Sequence, residues 1–130
     1  MSKRHGTVYV IDGDESVRKA RKRFLMSADL DVETFFSAEE FLTHSRHDQS
    51  ACILVDIPMP GLSGFDFQQR LLSQGVVLPV IAISASDDVK SYEHARELEA
   101  VCFFRKPVDD QALLDAIWWV LAGSKRSGCG

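Results

Sequence analysis

Five short apolar stretches, each followed by a segment of different periodicity, constrain this chain more than any other feature. The stretches are Thr7-Val8-Tyr9-Val10-Ile11, Val32-Glu33-Thr34-Phe35-Phe36, Ala51-Cys52-Ile53-Leu54-Val55, Leu78 to Ile83, and Val101-Cys102-Phe103-Phe104. After the first, Val17, Ala20, Phe24, Leu25 and Ala28 recur at helical spacing. After the second, Ser37-Ala38-Glu39-Glu40 matches a capping box and opens a short helix with Phe41 and Leu42. Phe65, Leu71 and Leu72 suit a third helix closed by Gly75, and residues 87 to 98 a polar, weakly amphipathic fourth. Asp109 caps a last helix to about Leu121, with Leu113, Ile117, Val120 and Leu121 as its buried stripe. Strands alternating with helices predict an α/β fold with a parallel sheet, right-handed crossovers and helices on both faces. The third, fourth and fifth stretches are nearly continuous in apolar residues, as expected of strands covered on both sides.

The chain has 130 residues, 45% of them hydrophobic, which suits one domain with a real core. We expect that domain over residues 1–122 and a flexible tail over 123–130. No apolar run approaches the roughly 18 residues of a membrane span. The N-terminal Met1-Ser2-Lys3-Arg4-His5-Gly6 lacks the apolar core of a secretory leader. The expectation is a soluble, cytoplasmic protein. A net charge of −4 argues against direct nucleic acid binding. The basic run Arg18-Lys19-Ala20-Arg21-Lys22-Arg23 reads as the solvated face of a helix. Of the three cysteines, Cys52 and Cys102 open apolar runs and are expected as buried free thiols, whereas Cys129 lies in the tail.

In such sheets ligands bind beyond the carboxyl ends of the strands. Asp12 stands there after the first strand, Asp56 after the third, Ser84 after the fourth and Lys106 after the fifth. Each alone has a bland reading as a turn or cap residue. Two carboxylates, a hydroxyl and an ammonium at four consecutive opportunities suit phosphoryl chemistry. Carboxylates hold a hard divalent cation, a carboxylate is a competent nucleophile, and lysine neutralises charge on a transferred group.

With these residues in place, the chain resembles a response-regulator receiver domain of two-component signalling, over about Thr7 to Leu121. The segments that carry the resemblance are Val10-Ile11-Asp12, Val55-Asp56-Ile57-Pro58-Met59-Pro60-Gly61-Leu62-Ser63-Gly64, Ile83-Ser84-Ala85 and Phe103-Phe104-Arg105-Lys106-Pro107. The resemblance implies a flavodoxin-like (βα)5 fold with strand order 2-1-3-4-5, as in the chemotaxis member of the family. It implies Asp56 as phosphoryl acceptor, with a sensor histidine kinase or a histidine phosphotransfer protein as donor and partner. Asp12, Asp56 and the main-chain carbonyl of Pro58 would hold Mg²⁺. Ser84 would contact the phosphoryl group, and Lys106 would pair with it or with the acceptor carboxylate, its bond to Pro107 being cis. Phe103 matches the aromatic switch position, so the signal would be a population shift of the face formed by the fourth helix, fifth strand and fifth helix. The domain would be a phosphoacceptor and not an enzyme.

The pattern breaks after the first strand. The family carries two adjacent acids there, and this chain reads Asp12-Gly13-Asp14, with Gly13 at the second. Asp14 falls one residue late, at a helix start, and is at best an indirect metal ligand. Weaker Mg²⁺ binding follows, since affinity rises with ligand charge and number. A degenerate receiver acting as a phosphorylation-independent interaction module is therefore the alternative. A third reading notes that Asp12-Gly13-Asp14 after an apolar strand resembles the Asp-x-Asp motif of haloacid-dehalogenase-type phosphatases, with Asp12 as nucleophile and Asp14 as acid/base; it leaves the Asp56-to-Gly64 segment unexplained. Finally, Trp118-Trp119 adds two large rings to a helix whose buried stripe is already filled. At least one is expected to face solvent or a partner, with Trp119 in an interface such as a homodimer through the switch face.

Overall fold

The computed structural model describes residues 6–44, 50–57, 61–85 and 88–123. Five strands and five helices alternate: β1 Thr7–Ile11, α1 Glu15–Met26, β2 Asp31–Phe35, α2 Ala38–Leu42, β3 Ala51–Ile57, α3 Gly64–Ser73, β4 Val80–Ser84, α4 Val89–Glu97, β5 Cys102–Arg105 and α5 Asp110–Leu121. The sheet is parallel throughout, in the order β2-β1-β3-β4-β5. The fold class is as expected.

Side-chain alternation divides the core into two layers. Tyr9 and Ile11 of β1 join Ile53, Val55, Val80 and Ala82 beneath α2, α3 and α4. Val8 and Val10 join Cys52, Leu54, Ile81 and Ile83 beneath α1 and α5. The first layer is rich in aromatic edges: Phe41 meets Tyr9, Phe35 and Phe67 at centroid distances of 5.4, 5.2 and 6.0 Å. The central strands β1 and β4 are buried at every residue.

Several expectations shift at strand ends. β3 does not stop at Val55 but continues through Asp56 and Ile57, because β4 runs alongside it, Ile83 opposite Asp56 and Ser84 opposite Ile57. β4 begins at Val80, two residues later than expected, just after Pro79, which has no N–H for the ladder. β5 is apolar but not covered on both faces; as an edge strand it leaves Phe103 and Phe104 half-buried.

The helix starts follow their sequence signals. The Ser37 hydroxyl accepts from the Glu40 N–H at 3.1 Å, and the Glu40 carboxylate reaches back to the N–H of Phe36 at 2.7 Å. Asp109 caps α5 by accepting from the Ala112 N–H at 2.9 Å. Cys52 is a buried free thiol, its pKa pushed up to about 12 by burial. Cys102 is corrected: it is buried, but its sulfur is disulfide-bonded. An apolar run reports burial and not what a sulfur meets in space. Cys129 and residues 124–130 of the expected tail lie outside the described residues.

Both Trp118 and Trp119 are half-buried and pack on the rim of the α1/α5 layer, so neither presents a fully exposed ring. The α5 stripe, buried at Leu113, Ala116, Ile117 and Val120, leaves room at its edges for indole rings to cover core side chains.

Candidate functional site

Strand register assembles the site. Ile11 lies opposite Val55, so Asp12 and Asp56, the next residues on neighbouring strands, emerge side by side at the carboxyl edge. Asp56 pairs with Ile83, and Ser84 follows one step further out on β4. Ser84 pairs with Arg105, which places Lys106 beside it; the Lys106 N–H donates to the Ser84 carbonyl at 2.7 Å. The Lys106–Pro107 bond is cis, as expected. The parallel register thus gathers on one edge the four residues singled out from sequence.

Lys106 and Asp56 are in direct contact. The ammonium nitrogen lies 3.0 Å from Oδ1 and 3.1 Å from Oδ2 of Asp56, with hydrogen-bond geometry met at Oδ2. Oδ1 is buried and accepts no hydrogen bond. Burial raises the Asp56 pKa above the usual carboxylate range. The Lys106 hydrogen bond opposes this, the neighbouring Asp12 charge adds to it, and the Lys106 and Arg21 charges oppose it. Asp12 is itself 2% exposed. Its Oδ1 accepts the Asp14 N–H at 2.9 Å, and its carbonyl accepts from the Arg18 guanidinium at 2.7 Å.

Asp14 is turned to another task. Its Oδ1 accepts from the Ser16 and Val17 N–H groups at 2.8 and 3.2 Å, so it is the N-cap of α1. That engagement speaks against Asp14 as acid/base in the phosphatase reading. Gly13 is exposed and brings no donor beyond its main chain. Among the described residues no group of three His, Cys, Asp or Glu side chains could hold a metal. Two neighbouring, mutually repelling carboxylates, Asp12 buried and Asp56 partly buried, do suit a hard divalent cation. The residues that would hold it are Asp12 and Asp56. Pro58, whose carbonyl is the further expected ligand, lies outside the described residues.

Ser84 is 1% exposed, and its hydroxyl lies 3.2 Å from that of Ser91 on α4. Phe103 stands half-buried on β5 with the Tyr92 ring over it, centroids 4.8 Å apart at 36°. Sequence reasoning missed Ser91, Tyr92, Arg18 and Arg21. The arginines sat inside a basic run read as solvent-facing. Ser91 and Tyr92 carry no local signal, because only the tertiary approach of α4 to the ends of β4 and β5 gives them partners.

The model of the response regulator receiver domain family matches residues 8–118. Response regulator protein TodT of Pseudomonas putida is 37% identical over 90% of this chain and 52% of its own length. Transcriptional regulatory protein FixJ of Azorhizobium caulinodans is 35% identical over 93% and 57%. The chain therefore spans about half the length of these curated relatives. Among solved structures, full-length FixJ from B. japonicum superposes with a TM-score of 0.82 at 30% identity, over 95% of this chain and 61% of that one. The separate structure FixJ-N gives 0.79 at 29% identity, covering 94% of this chain and 96% of that one. No described helix is long and apolar enough to cross a membrane. This chain belongs to the response regulator receiver domain family of two-component signalling.

Proposed function

We propose that the chain is a phosphoacceptor that takes a phosphoryl group onto Asp56 from a histidine kinase or histidine phosphotransfer protein. The observation that carries this reading is the Asp56 carboxylate, held against the Lys106 ammonium and beside Asp12. In the step, a carboxylate oxygen of Asp56 forms a bond to phosphorus as the bond from phosphorus to the donor imidazole nitrogen breaks. The imidazole leaves with the bonding pair and takes up a proton. Lys106 neutralises charge on the acceptor and then on the transferred group. A divalent cation, when bound at Asp12 and Asp56, supplies further neutralisation of the phosphoryl oxygens. The Ser84 hydroxyl turns toward a phosphoryl oxygen, Phe103 follows inward, and the surface of α4, β5 and α5 changes population. That surface is where a partner or a second copy would read the signal.

The test is intact mass after incubation with acetyl phosphate, with and without Mg²⁺, for the wild type, Asp56→Asn and Gly13→Asp. An adduct of one phosphoryl group that needs Mg²⁺ and is lost in Asp56→Asn supports the reading. The exposed Gly13 and the diverted Asp14 favour a second reading, the phosphorylation-independent interaction module. Labelling of Gly13→Asp with an unmodified wild type would establish it in place of the first.

A further inference from the structure

The basic run of α1 is not one solvated face. Lys19, Lys22 and Arg23 are exposed, and Lys19 pairs with Glu15 one turn back at 3.3 Å. Arg18 and Arg21 are half-buried, and at a spacing of three they share a side of the helix. Arg18 bends back over the turn after β1, where its guanidinium donates to the Asp12 carbonyl at 2.7 Å. Arg21 lines a cleft of about 230 Å³ between α1 and the start of α5, with Val17, Phe24 and Val108 among its walls. Val108 lies just beyond the Lys106–Pro107 bond, so the cleft borders the loop that carries Lys106. Asp110 shares this cleft, yet it is the Arg21 charge that reaches Asp56, where it favours the ionised carboxylate.

Set beside these cations, the site is short of negative charge. Gly13 supplies no carboxylate, and Asp14 is spent on the cap of α1. Two carboxylates, Asp12 and Asp56, then stand among three cations, Lys106, Arg18 and Arg21. Fixed charge of one sign attracts anions and repels cations, and its reach is set by Coulomb's law and not by contact. A phosphoryl group on Asp56 brings its negative charge to the carboxylate on which Arg21 already acts. We propose that Arg18 and Arg21 set the potential of the phosphoryl site, so that it holds the divalent cation less tightly, and the anionic phosphoryl group more tightly, than Asp12, Asp56 and Lys106 would alone. Neither arginine is a catalytic residue. Arg18 also holds the main chain of Asp12, so removing it changes geometry and charge together, whereas Arg21 acts on Asp56 through its charge. The inference rests on the phosphoacceptor reading, because it is at Asp56 that an anion must arrive.

Two titrations of the full chain test it. Mg²⁺ is added first, and then, at saturating Mg²⁺, beryllofluoride, a phosphoryl mimic; both are followed by the amide shifts of Gly13 and Asp56 in NMR. Arg21→Gln is expected to tighten Mg²⁺ and to weaken beryllofluoride, each by about two- to threefold, the effect of one charge removed across partly solvated protein. Arg21→Lys keeps the charge and should retain both affinities. Lys22→Gln makes the same change of charge on the exposed side of α1 and should move neither by as much. Raising the salt should shrink both Arg21→Gln differences. Affinities that rise together or fall together in Arg21→Gln, or Lys22→Gln effects equal to those of Arg21→Gln, would overturn the assignment. A wild type whose beryllofluoride binding is lost in Asp56→Asn, but is unchanged with that of Mg²⁺ in Arg21→Gln, sinks the assignment alone. A wild type that binds no beryllofluoride sinks the phosphoacceptor reading and the assignment with it.

Discussion

Asp56 bears a negative charge where burial and the neighbouring Asp12 both oppose one, and Lys106 relieves only part of that cost. The folded state therefore favours the protonated carboxyl more than the unfolded chain does. A carboxyl whose pKa is raised on folding contributes stability that is fully present below the ordinary carboxylate value and is lost as pH rises through the folded one. At neutral pH, without divalent cations, an ionised Asp56 is thus a destabilising residue. Asp56→Asn is expected to raise the thermal midpoint at pH 7 by a few degrees, followed by circular dichroism. The advantage should shrink as the pH falls into the range where wild-type Asp56 takes up its proton. Mg²⁺ should narrow the gap from the other side, stabilising the wild type more than the variant by mass action. A variant midpoint at or below that of the cation-free wild type would show that the Lys106 pair outweighs the desolvation of Asp56.

At the scale of elements, α3 and α4 meet in a close joint near the site. Gly64 opens α3 with a backbone any residue can adopt, and it is close approach alone that requires glycine there: an added Cβ would press on the His94 ring and carbonyl and lie 3.2 Å from the Glu97 Cβ. Gly64→Ala is expected to destabilise by about 1–3 kcal/mol, seen as a lower urea midpoint with an unchanged slope; a midpoint equal to wild type would show that α4 yields freely. The same joint marks the boundary of what sequence can tell. Elements with their own signals were legible: the β1 run from Thr7 to Ile11, the Ser37 capping box, and the Asp109 cap with a helix ending at Leu121. So were the chemical residues, because Asp12, Asp56, Ser84 and Lys106 each stand at or beside a strand end that periodicity locates. The rest depended on neighbours far along the chain. Asp56 lies within β3 because β4 extends the ladder, β5 is half-covered because it is an edge, and Ser91 meets Ser84 because α4 docks there.

Across the whole molecule, burial is uneven, and the unevenness falls where a switch needs it. α5 is anchored by Leu113, Ala116, Ile117 and Val120, and its half-buried Trp118 and Trp119 extend the contact. α4 buries only Ser91 and Ala95 between its ends, and it leaves Val89 and Tyr92 exposed at 71% and 54%. Apolar burial is the main source of helix anchoring, so α4 is held down more weakly than α5, while the central strands β1 and β4 are buried at every residue. Local opening should follow that gradient. Amide hydrogen exchange is expected to be fastest in α4, slower in α5 and slowest in β1, β3 and β4. Beryllofluoride should raise protection in α4 while leaving the central strands unchanged, since the core on either side of the sheet has no need to move. Exchange from α4 as slow as from α5 would instead mean that polar contacts such as Ser84–Ser91 hold the helix as firmly as the α5 stripe does. The change of surface would then have to come from side-chain rotamers on a fixed helix.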